Sequence, residues 1–417
     1  MAKTEWRLRK LDSLGFVGRG KSRHRPRNDA SLYGGKYPFF QTGDIKAANF
    51  YLTEYSQTYN EKGLAQSKLW QPGTLCITIA ANIAETALLG IPGCFPDSIV
   101  GFIPDPEQSD VRFVKYFIDT VKFQMQDVSR GTTQDNLSVD KLLTFDFRVP
   151  PLPVQRRIAG ILSAYDELIE NNQRRIRILE EMARALYREW FVNFRFPGHE
   201  EVKLVPSLLG NIPQGWEVKK LVNVAEVNRA QINVRNAPDE LQYIDISSVS
   251  PGQIDTMTTY AFSDAPGRAR RIIQHGDVLW SCVRPNRRSH AQVMHPEPNT
   301  IASTGFAVLT ATKVPFTFLY FATTTDAFVS YLTNNSTGVA YPAVTAAAFE
   351  KAEILVPPAQ LLKKFGNGTI PIAEQTAIAS CGSCSSSSGF ASSAERMTAD
   401  AFWMTSRLSA NSDALPW

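Results

Sequence analysis

The sequence is poor in cysteine. Cys76, Cys94, Cys282, Cys381 and Cys384 are too few and too scattered for the disulfide framework of a secreted protein, and a reducing, cytoplasmic setting fits them better. It also lacks long apolar runs. The nearest to a membrane span, Thr74 to Pro92, is broken by Asn82 and Glu85, well short of the roughly 18 uncharged residues a span needs, so no membrane partner is expected. The start, Met1-Ala-Lys-Thr-Glu-Trp6, has no apolar core and does not read as a signal peptide. There is no Asn-Pro-Pro-Tyr-type methyltransferase string, no G-x-S-x-G elbow and no HExxH, absences that fit a binding protein better than a catalyst. Charge of one sign is not in large excess either. A net charge of +4 and a pI of about 8.7 allow a nucleic-acid partner without demanding one. What remains is ordinary globular composition, 43% hydrophobic and 20% charged over 417 residues, enough for two or three domains.

The distribution of charge says more than its sum. From Lys3 to Arg27 there are nine Lys or Arg against two acids, Glu5 and Asp12, densest over Arg19-Gly-Lys-Ser-Arg-His-Arg-Pro-Arg27. Pro26, Gly18 and Gly20 oppose a helix, so this stretch is expected to be an exposed basic loop. A second cluster holds Arg268, Arg270, Arg271, Arg284, Arg287 and Arg288, opposed only by Asp277. A charge run alone reads as a solvated face; one in each half of the chain points toward phosphate contact.

The chain repeats itself. Trp6-Arg-Leu-Arg-Lys-Leu11 resembles Trp216-Glu-Val-Lys-Lys-Leu221, and Lys68–Leu75 resembles Arg271–Val278. Asp97–Phe102 resembles Ala302–Ala307, and Gly131 with Val149-Pro-Pro151 resembles Gly338 with Val356-Pro-Pro358. The offset stays between 203 and 210 residues, too long for a solenoid and regular enough for two copies of one domain. Short apolar runs (Thr74–Ala80, Ile99–Ile103, Val278–Val283, Thr304–Leu309) predict strands, and Val111–Phe123 and Phe316–Leu332 predict helices. A polar loop follows in each copy, Ser129–Gln134 and Asn335–Gly338. The fold class is α+β.

Between the copies, Val154 to Val192 contains no proline and one glycine, Gly160. Apolar residues recur in steps of three and four through Ile158, Leu162, Tyr165, Ile169, Ile176, Leu179 and Leu186, with Asn172 on the same stripe. This predicts an amphipathic helix of about 38 residues, some 57 Å long, that seeks a second long helix beside it, with Asn172 fixing register. By symmetry that partner follows Val356-Pro-Pro358. It begins plausibly over Ile370–Ile378 and then gives way to Ser380-Cys-Gly-Ser-Cys-Ser-Ser-Ser-Ser-Gly389, a poor helix former.

Val149-Pro-Pro-Leu-Pro-Val-Gln-Arg-Arg-Ile-Ala-Gly-Ile-Leu162, Glu170-Asn-Asn-Gln-Arg-Arg-Ile176 and Ala185-Leu-Tyr-Arg-Glu-Trp-Phe-Val192 resemble the specificity subunit of type I restriction–modification enzymes. Gly18–Arg27 with Tyr37–Asp44 looks like the start of such a subunit's first domain, and the resemblance covers about residues 1–375. It implies two tandem target-recognition domains (1–150 and 198–357), a coiled-coil spacer helix (151–197) and the start of a distal one (358–378); composition adds an atypical Ser-rich tail (379–417) that is expected to be disordered. It further implies that each domain reads half of a split site on double-stranded DNA, without catalysis by this chain. Two modification subunits using S-adenosylmethionine to methylate adenine, and two restriction subunits using ATP and Mg²⁺, would assemble on it; this chain itself would bind no cofactor. The residues proposed for DNA are Lys21, Arg23, His24, Arg25, Arg27, Gln41, Thr42, Arg130, Thr132, Thr133 and Gln134 in the first domain. In the second they are Arg270, Arg284, Asn286, Arg287, Arg288 and Thr337. Cations would neutralise phosphates, and Arg, Asn and Gln would read guanine and adenine edges. The tail departs from the pattern inside a predicted helix, which suggests a reading-frame change near the 3′ end of the gene. Two other readings are a truncated, inactive specificity subunit and a protein-binding scaffold that does not recognise DNA.

Three further motifs carry less. Gly15-Phe-Val-Gly-Arg-Gly-Lys-Ser22 matches the P-loop string, but lacks the apolar strand before it and the helix after it; a basic loop touching phosphates explains the same residues. Cys381-Gly-Ser-Cys384 has no second pair to support a metal or redox role. Cys282, His275, His290 and His295 fit no finger spacing, so no metal is assigned. Lys21→Ala separates an ATP-using enzyme from a DNA reader. The expected outcome is weakened duplex binding with a salt slope shallower by about one; abolished nucleotide binding would instead support the ATP-using enzyme.

Overall fold

The blocks that repeat along the sequence pair with one another in space. In the computed structural model, which describes residues 6–130, 137–338 and 341–387 (backbone alone for 128–130 and 381–387), Arg7–Arg9 lies antiparallel to Phe147–Val149, with Arg7 opposite Val149. In the second copy Glu217–Lys220 lies antiparallel to Glu353–Val356, with Glu217 opposite Val356. A short turn follows each opening strand, and its first residue, Leu11 or Leu221, is fully buried. Each copy is thus closed by a ladder between an early strand and its last one; in the second copy a separate hairpin, Leu204–Ser207 with Gly210–Pro213, precedes that ladder.

Between those strands the copies share one plan. The first has a five-stranded sheet in the order Gly15–Arg19, Ile99–Pro104, Leu75–Thr78, Thr86–Leu89, Tyr51–Leu52. The second has Ala225–Val227, Phe306–Ala311, Val278–Ser281, His290–Gln292. A four-stranded sheet accompanies each: Gln57–Tyr59, Tyr33–Phe39, Gly93–Cys94, Leu69–Trp70 in one, and Thr258–Ala261, Glu240–Ile244, Thr300–Ser303, Ala269–Ile272 in the other. In both, the inner pair is parallel, Phe39 opposite Cys94 and Gln242 opposite Thr300. The predicted strands are present: two are trimmed to Leu75–Thr78 and Val278–Ser281, Ile99–Pro104 runs one residue further than expected, and Phe306–Ala311 is shifted by two. The α+β class and the duplication stand.

The helices differ from expectation in three places. Val111–Arg130 runs one further turn and more beyond Phe123. The expected single helix Phe316–Leu332 is two, Phe316–Thr323 and Asp326–Asn334. Three consecutive threonines break it: Thr323 and Thr324 Oγ1 bond back to Leu319 and Phe321 carbonyls, and Thr325 Oγ1 caps the next helix by accepting the Phe328 N–H at 3.2 Å. The distal helix spans Ala359–Ser387, past the Ile378 where the apolar pattern gives out. Ala373, Ala377 and Ala379 favour helix, and Ser380 satisfies its hydroxyl on the Thr376 carbonyl at 2.8 Å, so the backbone continues without a stripe. Residues 388–417 of the expected tail lie outside the described residues.

The central helix is continuous over Leu152–Tyr187, 36 residues, and ends in one π-helical turn, Arg188–Val192. The chain divides into two units that part between Gln173 and Arg174, inside this helix, and again between Gly382 and Ser383, inside the distal one. Its pairing stripe is not simply coiled-coil seam. In the first unit Ile158 and Ala159 join the domain core, while Tyr165 is 60% exposed. Ser163 accepts from Arg112 at 3.2 Å and Asp166 accepts from Tyr116. In the second unit Leu186 faces Gly368 of the distal helix, and Tyr187, Trp190 and Phe191 pack around Phe365, with Phe191 and Phe365 rings 4.9 Å apart. Leu162, Ile169, Asn172, Ile176 and Leu179 are half-buried. Among the described residues no helix is long and apolar enough to cross a membrane.

Phe365 is fully buried and touches Tyr187, Trp190, Phe191, Phe318 and Phe321. Phe365→Ala is expected to cost about 3–5 kcal/mol, seen in urea titration as an earlier unfolding midpoint.

Candidate nucleic-acid interface

In the first unit the basic segment leaves the strand Gly15–Arg19 and runs as a loop whose backbone is tied down while its cations face solvent. Asp97 is the hub. Its carbonyl accepts from Arg19 Nε, its Oδ1 accepts from Arg27 Nη2 at 2.5 Å, and Arg25 Nη2 stands 3.9 Å from Oδ2. Gln66 Oε1 takes the N–H groups of Arg23 and His24 at 2.5 and 3.0 Å. His24 Nε2 lies 2.7 Å from Asp29 Oδ2. The Ser31 N–H, the Ser31 hydroxyl and His24 together hold the Asp29 carboxyl down at about 2. Lys21, Arg23, Arg25 and Arg27 are all exposed. Gln41 opens the helix Thr42–Ala47, its N–H donating to Asp44 and its Nε2 to Gln57 Oε1 at 2.8 Å, with Thr42 half-buried beside it. Arg130 closes the helix Val111–Arg130. Thr132, Thr133 and Gln134 lie outside the described residues.

In the second unit the structure gathers most of the proposed residues at one hairpin. Arg284 and Arg288 flank the turn Pro285–Arg287 with left-handed φ of 50° and 56°. Asn286 and Arg287 are exposed on it, and Arg288 Nη2 donates to Asp326. The Arg284 N–H donates to the Pro342 carbonyl at 2.7 Å, the Val344 N–H to Cys282 at 2.8 Å, and Thr337 exchanges backbone bonds with Ala343. The hairpin and the Thr337 polar loop therefore sit side by side. The Arg284 guanidinium lies 4.7 Å above the ring of Tyr341, which is 70% exposed, so a cation and an aromatic face are offered to solvent together. Arg270 stands apart on the other sheet, over the Phe262 ring at 5.4 Å.

The two basic clusters do not occupy equivalent places in the repeat. The first unit's counterpart of the Arg284–Arg288 turn is Ala81–Ala84, which has the same left-handed residues at its ends, φ 63° and 60°, and carries no cation. The bond that Val344 N–H makes to the Cys282 carbonyl has its counterpart there, Leu137 N–H to Ile79 carbonyl at 2.9 Å. Conversely, the second unit's loop after Ala225–Val227 has only Arg229 and Arg235 where the first has its dense cluster.

The P-loop string is accounted for by packing. Gly15–Arg19 is a strand bonded to Ile99–Pro104. A Cβ on Gly15 would lie 2.2 Å from the Ile103 carbonyl, one on Gly18 2.7 Å from Phe16, and one on Gly20 2.2 Å from the Pro96 carbonyl. The glycines permit close backbone approach, and the Ser22 hydroxyl is buried against Tyr59. Cys76 and Cys94 are buried, and burial pushes the Cys282 thiol up to about 11. His290 is buried between Trp280 and Tyr320, which pulls its imidazole down to about 4. His275 and His295, in contrast, meet each other and Glu374.

Sequence reasoning missed the acids and amides that organise these loops, Asp97, Gln66 and Asp326, and the exposed Tyr341. Tyr341 alone had a signal, an aromatic three residues after the polar loop.

The fold is a duplicated α+β domain, each copy closed end to end by its strands and continued by a long helix. The family model described as type I restriction modification DNA specificity domain matches residues 3–181 and 213–379. The chain belongs to that family. The two matched regions take in most of both copies and most of the helix that follows each. The MjaIX specificity subunit of Methanocaldococcus jannaschii is 27% identical over 250 residues, 59% of this chain and 56% of that relative. The HindI specificity subunit of Haemophilus influenzae is 21% identical over 319 residues, 62% of this chain and 69% of that relative. The chain spans about half the length of the first curated relatives it matches, 56% and 48%. The crystal structure of the S subunit from M. genitalium superposes with a TM-score of 0.64 at 14% identity, covering 95% of this chain and 96% of that one, which shows the shared fold.

Asp97→Ala is expected to loosen the first basic loop. Because exposed ion pairs contribute only about 0.2–1 kcal/mol each, limited trypsin digestion after Arg23 and Arg27 should speed up a few-fold, with the thermal midpoint little changed.

Proposed function

We propose that this chain is the DNA-reading subunit of a type I restriction–modification enzyme, with each copy of the domain binding one half of a split site. Its partners are double-stranded DNA, two adenine-methylating modification subunits and two restriction subunits. S-adenosylmethionine, ATP and Mg²⁺ belong to those partners, and the chain itself performs no catalysis, in the cytoplasm. The observation that carries this reading is the pair of family regions, each ending in a long helix, together with an exposed cation-bearing loop in each. Lys21, Arg23, Arg25 and Arg27 would neutralise phosphates on one half-site. Arg284, Asn286 and Arg287 would enter the groove of the other, where a guanidinium pairs with guanine and an amide with adenine.

Co-expression with its modification subunit in a methylation-free host, followed by genome-wide mapping of methylated adenine, tests this. The expected result is one split motif with a fixed gap. Arg284→Ala is expected to cost about 1–3 kcal/mol in duplex binding and relax the motif on one side only. A palindromic motif built from a single half-site would mean that one domain reads and the chain pairs with itself. No methylation, with the modification subunit intact, would count against the reading, and a pull-down of that subunit would then distinguish an inactive chain from a wrong one.

A further inference from the structure

Two of the chain's five histidines, His275 and His295, lie with their ring centroids 4.4 Å apart. Glu374, from the distal helix, faces both: Oε1 is 3.5 Å from His275 Nε2, and Oε2 is 2.5 Å from His295 Nε2. We propose that these three side chains form a zinc site in the second unit.

The donor set is right for the ion. Two imidazoles and one carboxylate suit Zn²⁺, with bonds near 2.0–2.2 Å and a fourth position left to water. A tetrahedral ion with such bonds holds its ligands about 3.4 Å apart. The candidate ligand atoms all lie within 4.8 Å of one another, so side-chain rotation alone would close the gap.

The three ligands are also held in place. His275 precedes Gly276 in the turn between Ala269–Ile272 and Val278–Ser281, and His295 follows the strand His290–Gln292. The two turns are bonded to each other next to both histidines: Gly276 N–H to Val293 carbonyl and Val293 N–H to Asp277 carbonyl, each 2.8 Å. The His275 ring stands edge-on to Phe316 at 5.2 Å. His295 adopts a left-handed φ of 46°, a conformation uncommon outside glycine. On the helix side, Thr369 bonds Thr317 through buried hydroxyls at 2.7 Å, little more than a turn before Glu374. The helix is therefore fixed where it delivers its carboxylate.

Zinc would take the place of the direct contact between His295 Nε2 and Glu374 Oε2. On His275, Nδ1 accepts the His295 N–H at a long 3.3 Å. Zinc on Nε2 moves the ring proton to Nδ1 and opens that contact. The bound ion would then pin the distal helix to two turns of the second domain.

Titrating the full-length, tag-free, metal-stripped chain with Zn²⁺ by calorimetry tests the site. One saturable site per chain is expected, with a rise in the thermal midpoint. His295→Ala and Glu374→Gln should each weaken it at least about tenfold, since even loss of a supporting hydrogen bond costs 10–100-fold at such sites. Cys381→Ser with Cys384→Ser should leave it unchanged, and Co²⁺ in place of zinc should give d–d absorption without an intense thiolate band. Absence of saturable binding, affinity unmoved in both ligand variants, or affinity that follows the two cysteines overturns the proposal. Glu374→Gln keeps the size of the side chain, so its far-ultraviolet dichroism should match the parent and separate lost ligation from lost folding.

Discussion

The antiparallel ladders of Arg7–Arg9 with Phe147–Val149 and of Glu217–Lys220 with Glu353–Val356 fix where both long helices begin. Phe147–Val149 and Glu353–Val356 cannot extend further, because prolines follow at once and lack the N–H a ladder needs. The chain turns directly into helix, with Val154 N–H on Pro151 carbonyl and Leu361 N–H on Pro358 carbonyl. Gln155, almost fully buried, locks the first junction by donating to the Gln108 and Pro150 carbonyls and accepting from the Asp110 N–H. Sheets, cores and loops are then arranged within a frame whose two ends are already joined.

That frame was legible because it is written twice. Trp6–Leu11 against Trp216–Leu221, and Val149-Pro-Pro against Val356-Pro-Pro, repeat in sequence because the strand pair and the proline stop impose the same demands on both copies. The long helix was legible from its spacing. The division of labour along it was not, since Ile158 in a domain core and exposed Tyr165 look alike in a periodic pattern. Nor does composition reveal the break at Thr323–Thr325, where hydroxyl bonding decides between one helix and two. His275, His295 and Glu374 come from two turns and a distant helix, and no local spacing encodes a meeting of that kind.

The loops show the reverse behaviour: they differ where the frame agrees. Ala81–Ala84 and Arg284–Arg288 share left-handed ends and equivalent bonds just before them, at Ile79 and Cys282, yet one carries no cation and the other is strongly basic. The first unit instead concentrates charge after Gly15–Arg19, around Asp97. A scaffold whose backbone is set elsewhere tolerates this freedom, because exposed side chains on a fixed turn change the surface presented without disturbing the core. The glycines of Gly15–Gly20 are the limit to it, held by carbonyls and rings that leave no room for a Cβ.

The end-to-end closure also sets an order of events during synthesis. A unit in which an early strand waits for the last one depends on contacts far apart in sequence, the kind that form late and leave apolar surface exposed meanwhile. The first unit can close once Val149 has left the ribosome; the second stays open until Val356 does. A chain interrupted before Val356 would release an unclosed sheet and become a client for chaperones or proteases. A change of coding beyond Gln375 falls after both ladders have all their strands, so it alters only the distal segment while sparing the closure of either unit.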